Sequence, residues 1–288
     1  FSIQFNNSLD MDKFSEQQVT VTPDVPGLKV MNYGNSIALM GGTIARSVYK
    51  VKVASTVVDE YGQTLGKDAD FTWNVTEAEP NFFGPSGVVV LDPAAKTPTI
   101  DMFTVNYDLL KYKLYKVTPN DFPAFGEYMR NLWNKDKPPT MPGSKVFDGS
   151  MPTTQGKDRI VETKIDVTKA LGQGALGHAI LVVEPSPWKE KYDPPRMYIW
   201  VQSTKLGIDA SIDNEMLLAF ATELQTGKPA ANVELRMLRA GVNAKSDSQG
   251  LATLQLPAGG GGRGTEMLIA KRGNDEAFVN ESNGWWHD

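Results

Sequence analysis

Asp247-Ser248-Gln249-Gly250 is a polar turn that runs into Leu251-Ala252-Thr253-Leu254-Gln255-Leu256, a strictly alternating segment stopped by Pro257. Gly250 stands at the turn position that tolerates positive φ. Period-two alternation sets one face of a strand on a core and the other in water, the mark of an antiparallel sheet. The same grammar of short strands and polar turns recurs along the chain, so the expected fold is all-β, a tandem of antiparallel β-sandwiches.

Working outward, the third unit opens with a strand at Tyr198-Ile199-Trp200-Val201-Gln202, continues through Leu217 to Thr222 and Ala231 to Leu238, and ends with Met267 to Lys271 and Glu276 to Val279. Gly259 to Gly262 reads as a mobile hairpin tip. In the first unit, Phe1-Ser2-Ile3-Gln4-Phe5, Val19-Thr20-Val21-Thr22 and Phe71-Thr72-Trp73-Asn74-Val75 alternate, and Val57-Val58-Asp59-Glu60-Tyr61-Gly62 closes a further strand with a turn. The second unit has strands at Val88 to Leu91, Thr99 to Tyr107, Lys111 to Val117, Arg159 to Val167 and His178 to Val183. It also holds one short helix, Phe122 to Trp133, where Phe125, Tyr128, Met129 and Leu132 recur at helical spacing and Asn120 or Asp121 supplies the cap. Residues 135–156, rich in Pro, Gly and Lys, read as a long loop. The expected domains are 1–79, 80–195 and 196–288, the second with the helix and the loop.

Composition narrows the function. A chain of 288 residues with 41% hydrophobic and 22% charged side chains suits two or three globular domains rather than disorder. A net charge of -5 repels phosphate backbones and argues against nucleic acid as a partner. There is no cysteine, which removes thiol catalysis, Cys-ligated zinc and an internal thioester from this stretch. No apolar run reaches the ~20 residues a membrane helix needs, so a membrane is met only through an anchor outside the chain. The start at Phe1, directly in a strand pattern, points to a piece of something longer.

Catalysis needs a nucleophile, base or metal in a constellation. His178, among Gly177, Ala179, Ile180 and Leu181, reads as a packed or edge histidine; His287 lies in Trp285-Trp286-His287-Asp288. These two distant histidines make no metal site. Asp10 and Asp12 flank Met11 in a solvated turn without an EF-hand loop, and Asp108 and Asp121 have no evident partner. The glycines from Gly259 to Gly264 lack the Gly-Lys-Ser/Thr ending of a phosphate loop, and Arg263 is an exposed tip residue. Asn6, Asn74 and Asn280 begin sequons that matter only in a glycosylating host. No catalytic, cofactor-binding or metal residue is assigned, and the expectation is a non-enzyme without cofactor.

The third unit carries a resemblance. Val201-Gln202-Ser203-Thr204-Lys205-Leu206-Gly207 is similar to the "Val-Gln-x-Thr-x-Leu-Gly" of macroglobulin domains in bacterial α2-macroglobulins. Leu224-Gln225-Thr226-Gly227-Lys228-Pro229 resembles their "Leu-x-Thr-Gly-Lys-Pro", Ser246 to Ala252 their "Thr-Asp-x-x-Gly-x-Ala" turn, and Ala270 to Asp275 their "Ala-x-x-Gly-x-Asp" strand end, in the family's order. The first unit is similar to Ig-like domains of the same proteins at Phe5 to Asp10 and Val21-Thr22-Pro23, with Ser8 where Pro is usual. The second is similar to "Leu-Tyr-Arg-Val-x-x-x-Asp-Phe" at Leu114 to Phe122.

The resemblance implies macroglobulin-like domains from the scaffold of a broad-spectrum endopeptidase inhibitor that traps proteases after cleavage of a bait region. It implies export, to the periplasm or the outer membrane and cell surface, commonly as a lipoprotein. The implied partners are endopeptidases and neighbouring domains of the same chain. The rival reading is an adhesin or surface-binding array of sandwich modules. A third is a polysaccharide-active enzyme, whose site could hide only in the second unit's helix or its loop from Lys135 to Gly156, with Asp136, Asp148 and Asp158 as the residues to test.

Overall fold

Val19 and Val21 are buried while Thr20 and Thr22 face water, so the first alternating pattern translates directly into a strand with one inward face. The computed structural model describes residues 1–134, 136, 139–213, 215–257 and 267–280. They fall into two compact units, Phe1–Glu79 and Pro80–Asp288. The Gly259 to Gly262 tip, Arg263, the Trp285-Trp286 pair and His287 lie outside the described residues.

Phe1–Glu79 holds β1 (Ser2–Gln4), β2 (Val19–Thr22), β3 (Lys29–Asn32), β4 (Ser36–Met40), β5 (Ser47–Val53) and β6 (Ala69–Val75). They form two three-stranded antiparallel sheets, β1-β4-β3 and β2-β5-β6. Ile3, Val21, Ile37, Leu39, Val51 and Val53 share the core. Val57 to Asp59 makes only isolated bridges, Leu9 to Asp59 and Val58 to Thr64, rather than the expected strand. The reason is Asp59. Its carboxylate accepts the amides of Tyr61 (3.0 Å) and Gln63 (2.8 Å) and so turns the chain. A bond from Asn7 and these amides hold its carboxyl below the usual range.

Pro80–Asp288 holds two sandwiches. The first has β7 (Asn81–Phe83), β8 (Gly87–Leu91), β9 (Thr99–Val105), β10 (Leu109–Val117), α1 (Phe122–Arg130), β11 (Ser144–Pro152), β12 (Val161–Asp166), β13 (Gly177–Ser186) and β14 (Met197–Ser203). A five-stranded sheet, β11-β10-β13-β14-β8, faces a three-stranded one, β12-β9-β7. All pairings are antiparallel except β14 with β8. Ile100, Met102, Leu110, Leu114, Leu181 and Ile199 lie between the sheets. The other sandwich has β15 (Leu206–Ile212), β16 (Met216–Glu223), β17 (Glu234–Met237), β18 (Asn243–Lys245), β19 (Leu251–Gln255), β20 (Met267–Arg272) and β21 (Asp275–Asn280). Its sheets are β15-β16-β19 and β18-β17-β20-β21, around Leu217, Ala219, Leu235, Leu254 and Leu268.

Three expectations need correction. Tyr198 to Gln202 does not open the third unit: β14 is hydrogen-bonded between β13 and β8 and belongs to the preceding sandwich, so the chain changes sandwich at Thr204-Lys205. Residues 135–156 are not one long loop, because β11 pairs with β10 along Ser144–Pro152. As a sheet edge with no fully buried side chain, β11 has no apolar alternation to betray it. The helix stops at Arg130, short of Trp133, which is 84% exposed. Asp121 does not cap it by side chain. Its carboxylate instead accepts the Thr118 amide (2.8 Å) and hydroxyl (2.9 Å) and closes the turn ahead of the helix.

Candidate functional site, the seat between the second and third sandwiches

In β13, β14 and β20 the alternation breaks down. His178 to Leu181, Ile199 to Ser203 and Met267 to Ala270 are buried at every position. A strand apolar on both faces has a second layer on its outer side. Leu181, Ile199 and Leu268 serve the sandwich cores, and the intervening Ile180, Trp200, Met267 and Ile269 form a separate cluster with Val117, Phe125 and Phe278. This cluster is the seat of the third sandwich on the outer face of the five-stranded sheet.

Helix α1 roofs it. Pro119–Asp121 forms a 3-10 turn that delivers Phe122 and Phe125 from the end of β10. Phe122 meets Trp200 edge-on at 5.1 Å between ring centres and Phe278 at 4.7 Å; Phe125 lies 5.6 Å from Trp200. Such pairs add about 0.5–1.5 kcal/mol each beyond the area they bury. Outside the aromatic ring, Arg236 Nη2 donates to Asn120 Oδ1 across the joint (2.9 Å).

The polar part of the seat solves an edge problem. β21 is the last described strand of its sheet, so among the described residues one side of its backbone has no ladder partner. His178 and Gln202 stand directly opposite each other on β13 and β14. Gln202 Oε1 accepts the Phe278 amide (2.9 Å), and His178 Nε2 lies 3.1 Å from the Glu276 carbonyl oxygen. Two side chains of one sandwich thus satisfy the edge of the other. Trp200 Nε1 donates to His178 Nδ1 (3.2 Å). An indole N–H only donates, so Nδ1 is the acceptor, Nε2 carries the proton, and the ring is neutral. Burial pushes the His178 pKa down to about 4, outweighing the opposite pull of the Glu276 carbonyl and of the Glu276 and Asp275 charges.

The link between the sandwiches is held as well. Thr204 Oγ1 donates to Asp275 Oδ1 (2.6 Å), the Lys205 amide donates to Asp275 Oδ2 (3.0 Å), and the Leu206 amide donates to Thr204 Oγ1 (3.0 Å). Thr204 and Asp275 are both buried. Gln202, Thr204 and Asp275 are the polar residues of two motifs quoted from the sequence, brought together across some seventy positions.

Several other sequence candidates have structural partners outside the polar network of the seat. Asp10 pairs with Lys13 (2.8 Å), and Asp121 closes its turn on Thr118. Asp148 pairs with Lys145 (2.8 Å), Asp158 Oδ1 accepts from Asn106 Nδ2 (2.9 Å), and the Asp136 amide bonds to Asn134. Among the described residues no group of three or more His, Asp or Glu side chains could hold a metal ion. No described helix is long and apolar enough to cross a membrane. What the seat can do is fix two sandwiches together. The sequence reading missed Trp200, Phe278 and Phe122 in this role, although the loss of alternation in three runs was the available signal.

Residues 203–284 match the family model described as the bacterial alpha-2-macroglobulin MG3 domain. Over that stretch the chain is similar to a macroglobulin domain. The match begins at Ser203, where β14 ends and the chain changes sandwich. An alpha-2-macroglobulin homolog of Nostoc is 25% identical over 201 residues, 69% of this chain and 10% of that protein, so the match spans about a tenth of the relative's length. Among solved structures, native alpha-2-macroglobulin from Escherichia coli spanning domains MG0-NIE-MG1 aligns with 97% of this chain and 90% of its own, at a TM-score of 0.56 and 16% identity. Salmonella alpha-2-macroglobulin reacted with methylamine aligns with 97% of this chain and 17% of its own, at 0.63 and 15%. At these identities the structures speak for the fold.

Proposed function

We propose that this chain is scaffold from an exported bacterial α2-macroglobulin-like inhibitor that traps endopeptidases after its bait region is cut. The observation that carries the reading is the MG3 match over residues 203–284, set in a chain whose three sandwiches align over 97% with the Escherichia coli domain array. The scaffold role fits a molecule in which a buried polar network joins two sandwiches. In this reading the chain is not an enzyme, its partners are the trapped endopeptidases and its own neighbouring domains, and it faces the periplasm or cell surface. Any lipid anchor lies outside it.

The test uses the full-length parent, incubated with several unrelated endopeptidases while cleavage and electrophoretic mobility are followed. Cutting at one short segment, a compact faster-moving product and protection of large substrates are expected. Degradation at many sites, or no cleavage and no protection, overturns the reading in favour of an adhesive or binding array.

A further inference from the structure

We propose that the seat between the second and third sandwiches is a proton-sensitive joint in which His178 is the sensor and its bond from Trp200 the latch. The proposal goes beyond protease trapping and stands independently of it.

Geometry carries the argument. Trp200 Nε1–H points at His178 Nδ1 from 3.2 Å, and the opposite ring nitrogen is engaged by the Glu276 carbonyl at 3.1 Å. A second proton has to go to Nδ1. There it sets two donors head to head, and neither can rotate away: Trp200 is fully buried and wedged by Phe122 and Phe125, and the His178 ring lies against Phe278 at 5.7 Å. The relief available is local. Each sandwich keeps its own apolar core, and the seat is a third cluster whose loss leaves both cores intact. Water has a way in, because Glu276 also lines a cleft of about 610 Å3 with Asn120, Arg236, Ile269 and Lys271.

The charges around the ring fit a sensor of acid. From β21 it faces Asp275 and Glu276. The Glu276 carboxylate is paired with Lys271 of β20 (2.6 Å), and Asp275 is bonded to Thr204 and the Lys205 amide. Across the ladder stand Val117 on β10 and Gln202 on β14, both uncharged. In the helical roof Phe122 packs on Phe278 and Trp200 rather than on the ring itself, and the Asp121 carboxylate is bonded to Thr118. Among the described residues no basic group is set against the ring, and its resistance to protonation comes from burial.

The sign follows. The seated ring has its pKa lowered to about 4 and the released ring returns to 6.5, so the joint is at full strength above 6.5 and weakens as pH falls toward 4. By pH 4 the equilibrium between seated and released forms has fallen by about 160-fold from its value at high pH, on the way to a limit of about 300-fold below pH 4.

NMR of the whole chain tests this. The chain has only two histidines, so the His178 ring signal is assigned by comparison with a His287→Gln variant. The Trp200 indole N–H and the Phe278 amide report the latch and the edge contact. In the unmodified chain the His178 ring is expected to stay neutral to well below pH 6.5, and both reporters to move or broaden together between 6.5 and 4. In His178→Asn, which keeps an acceptor for Trp200, and His178→Gln, which keeps a donor for Glu276, the reporters are expected to stay flat over that window. A His178 ring that titrates near 6.5 with the Trp200 signal unmoved overturns the proposal. So does a pH profile shared by the unmodified chain and whichever variant folds.

Discussion

Replacing Gly250 by Ala puts a methyl group where the fold has no room. Gly250 has φ +77°, in the left-handed region, and a Cβ there would collide with the Ala221 carbonyl oxygen while sitting 3.2 Å from the Phe220 ring and 3.3 Å from the Ala230 nitrogen. That carbonyl accepts the Ala230 amide at 2.9 Å, and the Ala221 amide donates to the Gly250 carbonyl at 2.8 Å. The Ala221 amide thus stitches the turn to β16, and the methyl displaces the carbonyl of the same residue, which holds Ala230. Forcing an L-residue into the left-handed region costs about 1 kcal/mol. Losing the Ala230 bond costs about 1 more, and crowding Phe220 adds roughly 1. Gly227 is the internal control: φ is +67°, and nothing lies within 4 Å of a Cβ there. Gly227→Ala should therefore cost only the conformational part, about 1 kcal/mol.

The assay is amide exchange by mass spectrometry on the whole chain, read over peptides covering β16 and residues 226–233, with urea unfolding beside it. For Gly250→Ala a total near 3 kcal/mol corresponds to exchange faster by roughly 150-fold, against about 5-fold for Gly227→Ala. Equal effects would refute the assignment of most of the cost to the Ala221 carbonyl. A smaller effect at Gly250 than at Gly227 would show that the turn is not built as described.

Further outcomes test the seat and its roof. Thr204→Val and Asp275→Asn should each cost about 2 kcal/mol, since each disturbs a buried bond to a charged group. The double variant should cost at least 1 kcal/mol less than their sum, as a urea double-mutant cycle would show. Phe278→Ala should cost roughly 3–5 kcal/mol, and amide exchange should quicken in β21 and α1 before it does in β9 or β10. Asp121→Ala removes the acceptor that closes the Thr118 turn and should cost about 1 kcal/mol, read as faster exchange along α1.

How far the fold was legible depended on how many layers a strand touches. Val19–Thr22 and Leu251–Gln255 have one wet face, and their alternation reads straight through to burial. β11 has no fully buried side chain, so composition alone made it look like a loop. β14 was visible as a strand but assigned to the wrong sandwich, because a strand's partners are not written in its own sequence. The seat was the hardest part. His178 and Trp200 are 22 positions apart and Phe278 is a further 78 along, and only pairing brings them together. Once the pairing is known, its polar residues become explicable. The chain leaves one sheet at Ser203 and enters the next at Leu206, and β21 presents an unpaired edge beside that crossing. The Lys205, Leu206 and Phe278 amides are left without ladder partners, and Asp275, Thr204 and Gln202 supply one acceptor to each. Apolar side chains of similar size would fill the same space and leave those three donors unpaired in a buried joint, at about 1–3 kcal/mol each. Polar residues at these positions are therefore what a change of sheet demands when it takes place under cover.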